Sequence, residues 1–209
     1  MLMHFRDILL QLKTASHIKA LSNLTEQIVD LIPQTMSMIG YDQGNHAHQY
    51  DLWSHCLHTV LNLPREVDDD MLYLAALLHD IGKPDCRCYS KREGDTNAHY
   101  YGHPLRSMEI VRAEVIPTLL EKGMPLTPDE QRRLLYYVEY HDDRVSLRPK
   151  HLRRHLDIVN LTEFQNLMLL QVADAKAHVL LPVIEERIRI CQTWAGNYAV
   201  EIAKKLVLL

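Results

Sequence analysis

Glycine and phenylalanine are scarce in this 209-residue chain, at 7 and 2. Leucine, alanine and charged residues dominate instead, a balance that favours helices over sheet. No apolar run approaches the ~20 residues needed to span a bilayer, so no membrane segment is expected. The opening stretch, MLMHFRDILLQLK, is too short and too polar for a secretory signal, and a cytoplasmic location is the expectation. An excess of positive charge is missing too. The formal net charge is -4, which argues against a broadly basic grip on nucleic acid. The four cysteines, Cys56, Cys86, Cys88 and Cys191, make no disulfide framework. Cys86 and Cys88 lack the spacing of a structural zinc pair. There is no internal repeat, low-complexity segment or long linker, which favours one compact domain.

Histidine is what the chain has in excess, at 13. It is the commonest metal-ligating side chain and titrates near neutral pH. Its meaning depends on where each one falls.

Apolar spacing predicts a helix over 17–32, ended by Pro33. The polar stretch 40–49, GYDQGNHAHQ, reads as a loop. A helix is expected from Tyr50 to Leu63. Another should start at Asp69 or Asp70, run through MLYLAALL to His79 and end by Gly82 and Pro84. Residues 85–102 form the longest irregular stretch, and a long ordered loop in a compact domain is often functional. A helix follows from Pro104 to Lys122, with a kink or break at Pro117. The next starts at Thr127-Pro128, as N-cap and first helical residue, and runs to His141. Helices over 150–158, 161–178 and 181–206 complete the chain, with Thr162 as a cap of the second. No strand is expected.

The sharpest motif is Leu77-Leu78-His79-Asp80-Ile81-Gly82-Lys83-Pro84. Neighbours on an ideal helix diverge by about 100°. His79 and Asp80 can converge on one ion only where the backbone is about to turn. Imidazole and carboxylate together suit a hydrolytic divalent metal. The plain alternative is a capping histidine beside a surface aspartate. Two other residues share the setting. His55 lies on the helix expected at 50–63. Asp174 follows the apolar run Leu167, Met168, Leu169, Leu170 and Val172, and a carboxylate buried there needs a partner. The alternative puts Asp174 on an exposed stripe.

The order His55, then His79-Asp80, then Asp174 resembles the HD superfamily of metal-dependent phosphohydrolases. Two further stretches are similar to the HD region of bacterial tRNA nucleotidyltransferases and their stand-alone relatives. They are Ala98-His99-Tyr100-Tyr101-Gly102-His103-Pro104 and Leu134-Leu135-Tyr136-Tyr137-Val138-Glu139-Tyr140-His141-Asp142. The likeness covers residues 46–180. It implies an all-α HD-domain helical bundle over 46–209, with 1–45 as a helical extension packed on the core. It implies that His55, His79, Asp80 and Asp174 hold a divalent cation, with His103 and His141 suited to a second and Asp80 between the two. Nothing matches a nucleotidyltransferase head, so nucleotide addition to tRNA is not expected.

Lys83 could meet charge building on a phosphate oxygen, or it could be a solvated lysine at a helix end. His58, one turn after His55, is a rival ligand. His46 and His48 flank a loop and could line the site entrance, though a surface role is favoured. Arg144, Arg148, Lys150, Arg153 and Arg154 form a basic run that could recruit a polyanionic substrate, though a solvated face is favoured. His151 and His155 are spaced to clasp a metal, but without a nearby carboxylate or cysteine that reading is set aside.

The expected function is hydrolysis of a phosphomonoester or phosphodiester, such as a nucleotide, on one or two divalent ions of Mn, Fe, Co, Ni or Mg per chain. Asp80, Lys83 and Asp142 are the expected catalytic residues, Asp142 or a nearby histidine serving as general acid. A small phosphate ester or nucleotide is favoured over nucleic acid as the partner. The alternatives are a non-catalytic nucleotide-binding or regulatory HD module, and a helical interaction scaffold.

Overall fold

The structure, a computed structural model, describes residues 4–207; the first three residues of the stretch weighed as a signal lie outside the described residues. Helix α1, Phe5–Thr14, buries Phe5, Ile8, Leu9 and Leu12. The helix expected over 17–32 is two helices, α2 (Ile18–Ser22) and α3 (Thr25–Leu31). Short polar side chains at the break bond to nearby backbone and compete with the helical ladder. Ser22 Oγ donates to Lys19 O at 3.2 Å, and Thr25 Oγ1 donates to Ser22 O at 2.8 Å. A 3₁₀ turn follows over Pro33–Met38.

Helix α4, Leu52–Asn62, is capped by Asp51, which accepts from Ser54 N at 3.1 Å. Helix α5, Asp70–Leu78, is capped by Asp69. Every residue from Met71 to Leu78 is buried, so α5 is apolar all round, as a central helix must be. It is packed by α1, α4, and two later helices, α9 (Pro128–Tyr140) and α11 (Leu161–Lys176). Helix α5 stops at Leu78, with His79 as its C-cap, one turn before the expected limit at Gly82 and Pro84. Those two residues instead open a short helix, α6, Lys83–Cys86.

The stretch expected to be irregular contains two paired strands, β1 (Cys88–Tyr89) and β2 (Ala98–His99). Strands of two residues are too short to leave an alternation signal. Helix α7, His103–Ile110, passes through a π-helical turn, Val111–Val115, into α8, Ile116–Glu121. The turn lies just before Pro117, whose ring would otherwise strike the carbonyl four residues back. Thr127 and Glu130 form a capping box at the start of α9.

After α10, Pro149–Leu156, the cap of α11 is Asn160 rather than Thr162. Asn160 Oδ1 accepts from Glu163 N at 2.9 Å, while Thr162 already lies inside the helix. The helix expected over 181–206 is α12 (Pro182–Ala195) and α13 (Asn197–Val207), broken at an extended Gly196. Gln165 Nε2 donates to the carbonyls of Ala195 and Gly196, at 3.0 and 3.1 Å, satisfying groups that the break leaves free. Among the described residues no helix is long and apolar enough to cross a membrane.

Candidate metal centre

Five elements deliver ligand-type side chains to one place. His55 comes from the middle of α4, His79 from the C-cap of α5, and Asp80 from the turn after it. His103 opens α7, His141 caps the end of α9, and Asp174 lies near the end of α11. All six are buried, so Asp174 is not on an exposed stripe. Gly82 explains how the turn after α5 gets so close to α7. A side chain there would place its Cβ 2.5 Å from Ser107 N, and Gly82 N donates to Ser107 Oγ at 3.0 Å.

Asp80 is the centre of the arrangement. Its Oδ2 lies 3.2 Å from His79 Nε2 and 3.5 Å from His55 Nε2. Asp174 Oδ1 closes that group, 3.0 Å from His55 Nε2 and 3.6 Å from His79 Nε2. The other oxygen, Asp80 Oδ1, faces His103 Nε2 at 3.0 Å and His141 Nε2 at 3.4 Å. The two imidazoles stand 3.2 Å apart, nitrogen to nitrogen.

The far side of each ring fixes what the near side can offer. His79 Nδ1 donates to Ala76 O at 2.9 Å, His103 Nδ1 to Tyr100 O at 2.8 Å, and His141 Nδ1 to Val138 O at 2.7 Å. A carbonyl only accepts, so each neutral ring carries its proton on Nδ1 and turns a lone pair inward. Metal-bound histidines are oriented this way. The centre therefore packs acceptors against acceptors. His55 Nε2, His79 Nε2, Asp80 Oδ1 and Asp174 Oδ1 are buried without an aligned hydrogen-bond partner among the described residues. Such a set repels itself unless a cation sits among the atoms, and nitrogen with carboxylate oxygen suits a divalent one. His55, His79 and Asp80 form one group of metal-ligand spacing, and Asp80, His103 and His141 another.

Charge points the same way. Burial opposes ionisation of Asp80, but the neighbouring His79 and Lys83 outweigh it and hold its pKa well below the ordinary value. Asp174 is likewise held low against burial by His178, His55 and His79. Burial pushes His55 down to about 4 and also lowers His141. At neutral pH these states are the ligating ones. Burial also opposes charge on His79, yet Asp80 raises its pKa well above the ordinary value: the centre draws positive charge.

Around the centre is a cavity of about 420 Å³, the size of a small-molecule site. Lys83 lines it and is buried, not a solvated helix end. Its Nζ reaches Asp80 Oδ2 at 2.7 Å and donates to Gln43 Oε1 at 2.8 Å, above the Tyr100 ring. Tyr100 in turn donates to Gln43 O at 2.6 Å. Asp142 is on the wall, its Oδ1 taken by Arg187 Nη1 at 2.7 Å, while Arg187 Nη2 donates to His141 O at 3.0 Å.

His58 is not a ligand: it stacks on Tyr50, with ring centres 4.1 Å apart. His46 is exposed and bonds Asn97. His48, favoured as a surface residue over one at the site entrance, lines the cavity and packs edge-on against His55 at 5.5 Å. Its place follows from long-range pairing: Val179 N donates to Ala47 O at 2.9 Å, which ties loop 40–49 to the end of α11. His178, which sequence reasoning left out, has its Nδ1 3.6 Å from Asp174 Oδ1. Its spacing of four from Asp174 on a helical pattern was the available signal. Arg187 and Gln43 were missed too, since nothing local marks them, while His99 and Tyr101, noted only for the family likeness, stack on one another at the cavity wall.

A family model described as HD domain matches residues 15–175, beginning inside the segment read as an extension. Among curated proteins and among solved structures, nothing matches. The family match covers well over half the chain and takes in His55, His79, Asp80 and Asp174 in the order that the geometry brings together, and the chain belongs to the HD domain family.

Proposed function

We propose that the protein is a metal-dependent phosphohydrolase that cleaves a small phosphate ester, with a nucleotide as the favoured substrate. The observation that carries this reading is the split of Asp80, one oxygen toward His55, His79 and Asp174 and the other toward His103 and His141. On this reading His55, His79, Asp80 and Asp174 hold one divalent ion, and Asp80, His103 and His141 a second. Such ions polarise a phosphoryl oxygen and lower the pKa of bound water toward ~7.

The chain's own residues do the rest. Backbone carbonyls of Ala76, Tyr100 and Val138 hold three imidazoles in register. Lys83, fixed by Gln43, keeps an ammonium against the centre, where it meets charge that grows on the phosphoryl group. Asp142, steadied by Arg187, stands on the cavity wall as candidate acid for the leaving group. The flat His99–Tyr101 stack at the rim suits a planar base. The likeness of residues 98–104 and 134–142 to the HD region of tRNA nucleotidyltransferases belongs to the same reading, as does a cytoplasmic location.

The test is a panel of phosphate esters, from a chromogenic monoester to nucleoside monophosphates and a cyclic diester, assayed with added Mn, Co, Ni and Mg. Metal-dependent turnover that disappears in Asp80→Asn is expected. No turnover of any ester with any metal would instead favour a non-catalytic HD module.

A further inference from the structure

Outside the HD centre, three more ligand-type residues meet. His151 and His155 are spaced i, i+4 on α10, and both are buried on its inner face, at 6% and 0% exposure. Asp143, in the turn after α9, comes back against them. The three offer ligand atoms that lie within 4.8 Å of one another. The carboxylate that the sequence did not show beside this histidine pair is thus supplied by the fold.

Each contact fits a ligand set. His155 Nδ1 meets Tyr136 Oη at 2.9 Å, which orients the ring and leaves Nε2 facing Asp143 Oδ2 at 3.2 Å. His151 Nε2 is buried and finds no hydrogen-bond partner among the described residues. Its ring is walled by Phe164 and Trp194, at 5.8 and 6.0 Å between centres. The Trp194 indole cannot serve it, because Nε1 already donates to Ser146 O at 2.9 Å. An ordinary structural histidine accounts for His155 but not for His151, since burying an imidazole nitrogen unpaired is costly.

We propose that Asp143, His151 and His155 form a second, independent binding site for a transition-metal cation of the zinc or cobalt(II) class, clasping the turn after α9 to α10. Two imidazole nitrogens and one carboxylate oxygen are a ligand set for such ions, with a fourth position for water. Ligands sharing a tetrahedral ion at ~2.1 Å stand roughly 3.4 Å apart, close to the 3.2 Å between His155 Nε2 and Asp143 Oδ2. Arg154 is the competitor. Its guanidinium pairs with Asp143 from the solvent side and is itself about half exposed, so an arriving ion displaces a weak, screened contact.

The experiment is zinc content after equilibrium dialysis of the intact protein, with binding curves followed by cobalt(II) absorption. Asp80→Asn weakens the HD centre and leaves this site untouched, so it should keep one zinc that the Asp80→Asn/His151→Gln double variant lacks. Arg154→Ala, a change at an exposed side chain, should tighten cobalt(II) at this site about two- to fivefold, the worth of one exposed ion pair. In zinc-soaked crystals of the parent protein, an anomalous peak should touch His151 Nε2. Equal zinc in the single and double variants, or an unchanged cobalt(II) affinity in Arg154→Ala, overturns the site. Neither result bears on the HD centre, whose own metal is read from the loss caused by Asp80→Asn in the parent.

Discussion

Helix α5 has a buried aspartate at each end, and the two are opposites in how they are partnered. At the N-terminal end, Asp69 meets only donors. Its Oδ1 accepts from Met71 N at 3.1 Å and Arg133 Nη1 at 2.5 Å, and its Oδ2 from Tyr137 Oη at 2.7 Å and Asn166 Nδ2 at 3.2 Å. Just past the C-terminal end, Asp80 meets the Lys83 ammonium and four imidazoles, three of which have their Nδ1 protons committed to backbone carbonyls. Burial alone does not separate the two, at 5% and 1% exposure. What separates them is whether the neighbours donate or accept. Asp69 is satisfied by the protein, whereas Asp80 keeps Oδ1 without an aligned hydrogen-bond partner, which on the proposed reading a cation supplies.

The largest expected effect tests that contrast head-on. Asp80→Ala should strip the HD centre of metal and lower phosphoesterase turnover by at least on the order of 10³-fold, while the chain stays folded. Asp69→Ala should do the reverse. Removing Asp69 leaves the buried Tyr137 hydroxyl without its acceptor, while Arg133 keeps Asp129 at 3.0 Å, so the change should cost about 1–3 kcal/mol of stability, yet the folded fraction should keep its full metal content. Denaturant melts and elemental analysis of both variants read the two effects. Metal loss in Asp69→Ala, or none in Asp80→Ala, would erase the distinction.

Lys83→Ala sharpens the same comparison from the donor side. An ammonium cannot ligate a cation, so metal content should hold while turnover falls by about 10²-fold, as for loss of one electrostatic contact. A parent-like rate would reduce Lys83 to a structural partner of Gln43.

His103→Ala and His141→Ala should each lower the metal content of a fully loaded sample by about one equivalent, without emptying the His55–Asp174 side. Loss of all metal in either variant would mean that the Oδ1 and Oδ2 sides of Asp80 are one site.

The smallest effect concerns a carboxylate of the Asp69 kind. Glu130 bonds back to Thr127 N and pairs with Arg6 at 2.7 Å, joining α1 to α9. The hydrogen bond from Arg6 is the main reason that its pKa lies below the usual 4.5. A depressed folded value means that the stabilisation is complete above about pH 4.5 and fades as pH falls through the folded pKa. Its size should be ~1 kcal/mol, and Glu130→Gln should flatten that part of the pH–stability curve. An unchanged acid limb would show that the pair contributes nothing.

Much of the HD centre was legible because its signals are local. His79-Asp80 interrupts an apolar helix, and His55 and Asp174 sit on helices whose apolar faces stand out in sequence. The flanking glycine and proline were legible as stop signals, though they proved to open α6 and not to end α5. Residues placed by distant pairing were not legible. His48 reaches the cavity only because Ala47 pairs with Val179, and Asp143 reaches His151 and His155 only because α10 folds back on α9. Helix breaks at Asn23-Leu24 and Gly196 escaped because the apolar spacing continues through them, while the deciding bonds come from Ser22, Thr25 and Gln165.

The central claim is that Asp80 is shared between two cation sites. Crystals grown with manganese and measured for anomalous scattering test it most directly. The account predicts one peak among His55, His79, Asp80 and Asp174, and a second against Asp80, His103 and His141. A map with no peak beside Asp80, the imidazoles keeping their contacts to one another, would contradict it.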